Sequence, residues 1–171
     1  MAGRWCQWIV RGGKFTRGLG VSFVRMTGPV DFVLESPSTN SVLLVEAKST
    51  NAPSPEWAAR FVRNLTAHTE WSARNPYFLL VLRNYLFLWN RLPRESTDAP
   101  DFSAKTEDVL KPYLIPLHTS LQEINAPNFE LLIRTWLSDL ADGTVPESVE
   151  QWLKTVGLQR FENSVMHEDR P

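Results

Sequence analysis

Two apolar runs flanking a four-residue polar turn constrain this chain more than any other feature. Residues 29–35 read Pro-Val-Asp-Phe-Val-Leu-Glu and residues 42–48 read Val-Leu-Leu-Val-Glu-Ala-Lys. β-Branched and aromatic residues dominate both runs, and Pro37, Ser38, Thr39 and Asn40 between them are turn formers. The pattern predicts a hairpin. If Ser36 pairs with Ser41, Asp31 falls directly opposite Glu46, and strand period places Lys48 on the face of Glu46. Opposed side chains have Cβ atoms about 5 Å apart, where two like charges destabilise each other. A cation between them removes that objection. Three catalytic-type side chains therefore converge on one exposed site at the end of a hairpin. Glu35 shares the face of Asp31 by period but lies nearer the turn, where solvation accounts for it.

The flanking segments extend the pattern. Residues 4–10 are too few to separate a short helix from a strand, whereas Val21–Met26 reads as a first strand after the glycine-marked turns at Gly12, Gly13, Gly18 and Gly20. After Lys48, Ser54-Pro55-Glu56 is a helix start: a serine cap, proline at the first helical position and an acid in the first turn. Trp57, Phe61, Leu65 and His68 recur at helical spacing, which predicts the buried stripe, with Arg60 and Arg63 off it. Asn75-Pro76 ends that helix. Tyr77–Leu82 is almost wholly apolar, as in a strand buried on both faces, and Arg83-Asn84 connects it tightly to a strand over Tyr85–Trp89. Leu92–Ala104, polar and proline-bearing, reads as a surface loop. Helices follow over Thr106–Leu114, Asn128–Ala141 and Pro146–Val156, with Gly143 and Gly157 as terminators. Phe129, Leu132, Ile133, Trp136, Leu137 and Leu140 form an apolar face that must pack on the sheet. Trp57 and Trp89 read as core.

Composition excludes several classes. With 171 residues, 43% of them hydrophobic, the chain is expected to form one domain, with a core over about 1–90 and a helical extension over about 105–160. Eighteen basic residues against nineteen acidic argue against a histone-like binder. Residues 1–30 nevertheless hold Arg4, Arg11, Lys14, Arg17 and Arg25 and no acid, which suits a phosphate backbone or, equally, a set of solvated basic turns. Arg25, Arg60 and Arg63 are the candidate nucleic-acid contacts. The single cysteine, Cys6, excludes an intramolecular disulfide, and Cys6, His68, His118 and His167 lack zinc-ligand spacing. No signal-peptide pattern or membrane-length apolar run is present, so the expected location is the cytoplasm. There is no nucleophile elbow and no phosphate-cradling glycine-rich loop.

Pro29-x-Asp31, a short hairpin and Glu46-Ala47-Lys48 resemble the PD-(D/E)xK nuclease superfamily, the fold of many restriction and repair endonucleases. The similarity spans roughly residues 21–90 and is nearest to the nuclease region of type I restriction motor subunits and related bacterial proteins. It implies an α/β fold with a restriction-endonuclease-like αβββαβ core, a small mixed sheet and a helical C-terminal cover. It implies a nuclease hydrolysing phosphodiesters, in DNA before RNA, with catalytic residues Asp31, Glu46 and Lys48. Asp31, Glu46 and the backbone carbonyl of Ala47 would ligate Mg²⁺, with Mn²⁺ as substitute, at about 2.1 Å. Lys48 would orient or deprotonate the attacking water, or neutralise charge at phosphorus. Nucleic acid is the expected partner and a membrane is not; a homodimer or larger assembly stays open. Many members add an acid on a helix before the first strand, and a Gln or Tyr on the helix after the Glu-x-Lys strand. Residues 1–30 carry no acid and residues 54–71 no glutamine. The alternative expectation is therefore a weak or inert nuclease-fold protein serving as an interaction module.

Overall fold

In the computed structural model, which describes residues 30–67, 76–95 and 97–168, the hairpin forms in the expected register. Strand β1 (Phe32–Ser36) pairs antiparallel with β2 (Ser41–Lys48), from Ser36 opposite Ser41 to Phe32 opposite Val45. Asn40 closes the turn with φ 52°, a left-handed conformation that asparagine tolerates. Helix α1 (Pro55–Thr66) follows, capped by Ser54, whose Oγ accepts the Trp57 N–H at 3.2 Å. The chain returns in β3 (Tyr77–Leu82), parallel to β2, then β4 (Tyr85–Trp89) and β5 (Phe102–Lys105), each antiparallel to its predecessor. Helices α2 (Thr106–Leu114), α3 (Ala126–Asp142) and α4 (Glu147–Val156) come next, before β6 (Val165–Glu168) pairs antiparallel with β1. Among the described residues the result is an α/β architecture: a six-stranded mixed sheet in the order β5-β4-β3-β2-β1-β6, with four α-helices.

Strand alternation divides the interior into two cores. Phe32, Leu34, Leu43, Val45, Leu79, Val81, Leu86 and Leu88 pack against α2, α3 and α4. Val33, Val42, Leu44, Phe78, Leu80, Leu82, Phe87 and Trp89 pack against α1. Strand β3 is covered on both faces, as its unbroken apolar run predicts. The apolar face of α3 lies on the sheet as expected, with Trp136 and Ile133 fully buried.

Several expectations need correction. The stretch 92–104 is not all loop, because β5 begins at Phe102. Its Phe102 and Ala104 pack on the helical core while Ser103 and Lys105 are exposed. Helix α3 starts at Ala126 rather than Asn128, since Asn125 caps it by accepting the Asn128 N–H at 2.9 Å. Helix α4 starts at Glu147, after Pro146. Along α1 the most buried residues are Ala58, Ala59 and Val62; Trp57, Phe61 and Leu65 flank them, half-buried. The small side chains of α1 face the sheet, and the large residues pack at its sides. Trp89 is core; Trp57 is only partly so. Strand β6 was not anticipated. Val-Met-His-Glu has little strand character of its own, but the free edge of β1 templates it. Met166 packs on the core, and Arg134 of α3 holds Glu168 at 2.5 Å. The expected elements at 4–10 and 21–26, and His68, lie outside the described residues.

Gly143 ends α3 in the left-handed conformation (φ 69°), its N–H bonding back to the carbonyls of Asp139 and Leu140. A Cβ there would meet nothing closer than Glu162 Cγ at 4.0 Å, so Gly143→Ala carries backbone strain alone. It should cost about 1–2 kcal/mol, read as a lower denaturant midpoint at unchanged slope.

Candidate functional site

One register step beyond Phe32–Val45 brings Asp31 opposite Glu46. Phe32 and Val45 face the α2–α4 layer, so Asp31, Glu46 and Lys48 take the opposite, α1-facing side. Glu46 is next to Leu80 of β3 and Lys48 next to Leu82. The three side chains converge. Lys48 Nζ lies 2.6 Å from Glu46 Oε1 and 3.6 Å from Asp31 Oδ2. Asp31 Oδ2 also accepts the Ala47 N–H at 2.8 Å, which ties the residue ahead of β1 to the end of β2. Of Ala47, then, the contact seen is its N–H toward Asp31.

Exposure differs sharply among the three. The Lys48 side chain is 43% exposed and that of Asp31 28%, but that of Glu46 only 3%. The expectation of an exposed site therefore holds for Lys48 and in part for Asp31, and fails for Glu46. Burial pushes the Glu46 carboxyl up to about 7; the Lys48 hydrogen bond opposes that shift and the Asp31 charge adds to it. For Lys48, burial alone would lower its value, but its bonds to Glu46 and Asp31 outweigh burial and raise it. It is held as an ammonium.

Glu46 Oε2 is buried and has no hydrogen-bond partner, while Oε1 meets Lys48. A buried carboxylate oxygen without a donor is costly and fits a cation as its missing partner. Asp31 and Glu46 thus suit a hard divalent ion chemically. Among the described residues, no group of three or more His, Cys, Asp or Glu side chains is close enough to hold a metal. Of the described residues, Asp31 and Glu46 would supply two carboxylates, in keeping with the way Mg²⁺ retains waters.

Arg60 and Arg63 are exposed on α1, and no contact joins them to the triad. Arg25 lies outside the described residues. Glu35 is half-buried at the turn-proximal end of β1, opposite Val42. A cavity of about 560 Å³ lies among Tyr113, Leu117, Ile124, Leu131 and Leu132, on the α2–α3 side; none of the three site residues lines it. Arg83 and Asn84, which from the sequence are only a tight connection between two strands, do more than connect. Their side chains contact the segment that follows Lys48, and the only signal was a long polar pair between two apolar strands.

Compared with protein-family models, curated proteins and solved structures, the chain shows no significant match.

Proposed function

We propose that the chain is a Mg²⁺-dependent nuclease of restriction-endonuclease-like fold that hydrolyses phosphodiesters, in DNA before RNA, in the cytoplasm. The observation that carries this reading is the meeting of Asp31, Glu46 and Lys48 at the carboxyl end of β2, with one buried Glu46 oxygen lacking a donor. The carboxyl ends of strands are where open α/β sheets bind ligands. The succession β1, β2, α1 and parallel β3 also fits the centre of the αβββαβ order. Asp31 and Glu46 would hold the ion. When bound, it would polarise the phosphate and acidify a water. Asp31 is fixed for that role by the Ala47 N–H. Lys48, kept charged by its neighbours, is suited to stabilising negative charge at phosphorus and poorly suited to taking a proton.

Two observations favour the second reading, an inert nuclease-fold module. The Lys48 ammonium already bridges both carboxylates and gives them a partner without metal. In addition β6 occupies the edge of β1 along Phe32–Glu35, where a preceding strand of a three-stranded meander would pair.

Thermal unfolding with and without Mn²⁺ separates the two. At free Mn²⁺ about 100-fold above Kd, a site in the native state adds about 2.7 kcal/mol, or roughly 5–10 °C in Tm at this chain length. The shift should be absent in Asp31→Asn and in Glu46→Gln. Equal shifts in all three proteins would place the cation elsewhere; no shift in any would leave the module reading.

A further inference from the structure

The loop that leaves β2 directly after Lys48 is held from outside by the two residues of the β3–β4 turn. Leu82 is the register partner of Lys48, so Arg83 and Asn84 stand beside the exit of β2. The Arg83 N–H bonds to the carbonyl of Thr50 at 2.9 Å, and its Nε–H to the carbonyl of Ser49 at 2.8 Å. Asn84 accepts the Ala52 N–H and donates to the Ala52 carbonyl, both at 2.9 Å, so its amide pairs with the backbone as a neighbouring strand would. Residues 49–52 thus take their position from the turn.

The far side of the Arg83 guanidinium reaches the helical layer. Nη1 donates to the Leu121 carbonyl and Nη2 to the Ile124 carbonyl at 2.5 Å, and the group lies 5.7 Å from the centre of the Phe129 ring. One side chain joins the exit of the site strand to the segment that leads into α3. The planar fork spreads five N–H groups over three nitrogens and so reaches carbonyls on two separate segments; a lysine must offer its three N–H groups from a single point.

We propose that Arg83 is a positioning residue: by tying Ser49 to Leu121 and Ile124 it fixes the end of β2, and with it the placement of Lys48 against Glu46 and Asp31. Its functional meaning rests on the nuclease reading of that triad. The helical layer is then part of the site's support, through a residue that touches neither substrate nor ion.

Arg83→Met keeps the aliphatic stem and removes the fork; Arg83→Lys keeps the charge. Residue-resolved hydrogen exchange on the full chain distinguishes positioning from general stability. In Arg83→Met, exchange at the Ala47 and Ala52 amides should quicken roughly tenfold or more beyond the change at the β3 and β4 amides, the factor expected for one lost hydrogen bond. Arg83→Lys should restore this only in part. A uniform change across all amides, no change, or full rescue by lysine would overturn the proposal. In the cleavage reaction, kcat should fall in Arg83→Met with KM for an oligonucleotide nearly constant, and a fall in KM-linked binding alone would also count against it. Should the wild-type chain neither bind Mn²⁺ nor cut, the nuclease reading fails, and the exchange pattern still decides whether Arg83 sets the end of β2.

Discussion

At pH 8 and without divalent cations, Glu46→Gln should be more stable than the wild-type protein, by up to about 3 kcal/mol. The expectation follows from linkage. The Glu46 carboxyl is raised from 4.5 to about 7, chiefly by burial. Below pH 4.5 both folded and unfolded chains carry the proton, and the group has no effect on the folding equilibrium. Between 4.5 and 7 the unfolded chain releases its proton while the folded chain retains it, so wild-type stability falls as the pH rises. Above 7 the penalty is complete, at about 1.4 kcal/mol for each unit of displacement. Glutamine carries no proton to lose and removes the slope. Lys48 does not blur the window. Its raised value contributes stability that is present below the ordinary lysine range and is lost only at strongly alkaline pH. Loss of the Glu46–Lys48 pair in the variant offsets part of the gain, which makes 3 kcal/mol an upper bound. Denaturant unfolding at several pH values from 4.5 to 8 reads the difference. A difference between the two proteins that stays constant over that range would show that Glu46 is no more than an ordinary surface acid. Saturating Mn²⁺ should reverse the order, since only the wild type keeps both carboxylates.

That prediction depends on a fact the sequence did not display. The hairpin register was legible because apolar alternation and a four-residue turn admit few pairings, and Asp31, Glu46 and Lys48 follow from register and period alone. The burial of Glu46 was not legible. Glu46 sits beside Leu80 on β3, on the sheet face that α1 covers with Ala58, Ala59 and Val62. Alanines carry little signal in a pattern search that weights large apolar residues, so the predicted stripe fell on Trp57, Phe61 and Leu65 instead. The two edge strands failed for another reason. Strand β5 is four residues with only Phe102 and Ala104 turned inward, and β6 takes its conformation from the exposed edge of β1. Edge strands are specified by the neighbour they pair with, and a single-sequence reading cannot see the neighbour. Helix ends, by contrast, were nearly right, because Ser54, Gly143 and Gly157 terminate their helices through local chemistry.

The larger effect is expected at Lys48, where two consequences of one substitution should move in opposite directions. The Lys48 ammonium bridges the two carboxylates at 2.6 and 3.6 Å, so it competes for the same charge that a divalent cation would use. Lys48→Ala removes the competitor. Mn²⁺ should bind the variant at least as tightly as the wild type, and the metal-free variant should be the less stable protein, because Asp31 and Glu46 lose their only close cation among the described residues. Under the nuclease reading, cleavage should nonetheless fall on the order of 10²–10³-fold, the usual loss when one preorganised electrostatic group is removed from a transition state. A group that acts only when charge develops at phosphorus lowers kcat and leaves ground-state binding nearly unchanged. The measurement is a paired one: Mn²⁺ affinity by titration calorimetry, and nicking of plasmid or labelled oligonucleotide in Mn²⁺ with EDTA as control. Tighter metal binding with lost cleavage is the pattern expected of a catalytic Lys48. Unchanged cleavage would trace the activity to a contaminant. An active wild type whose Lys48→Ala form loses cleavage and metal binding together would make Lys48 a structural brace for Asp31 and Glu46, and the charge-stabilising role assigned to it would fall.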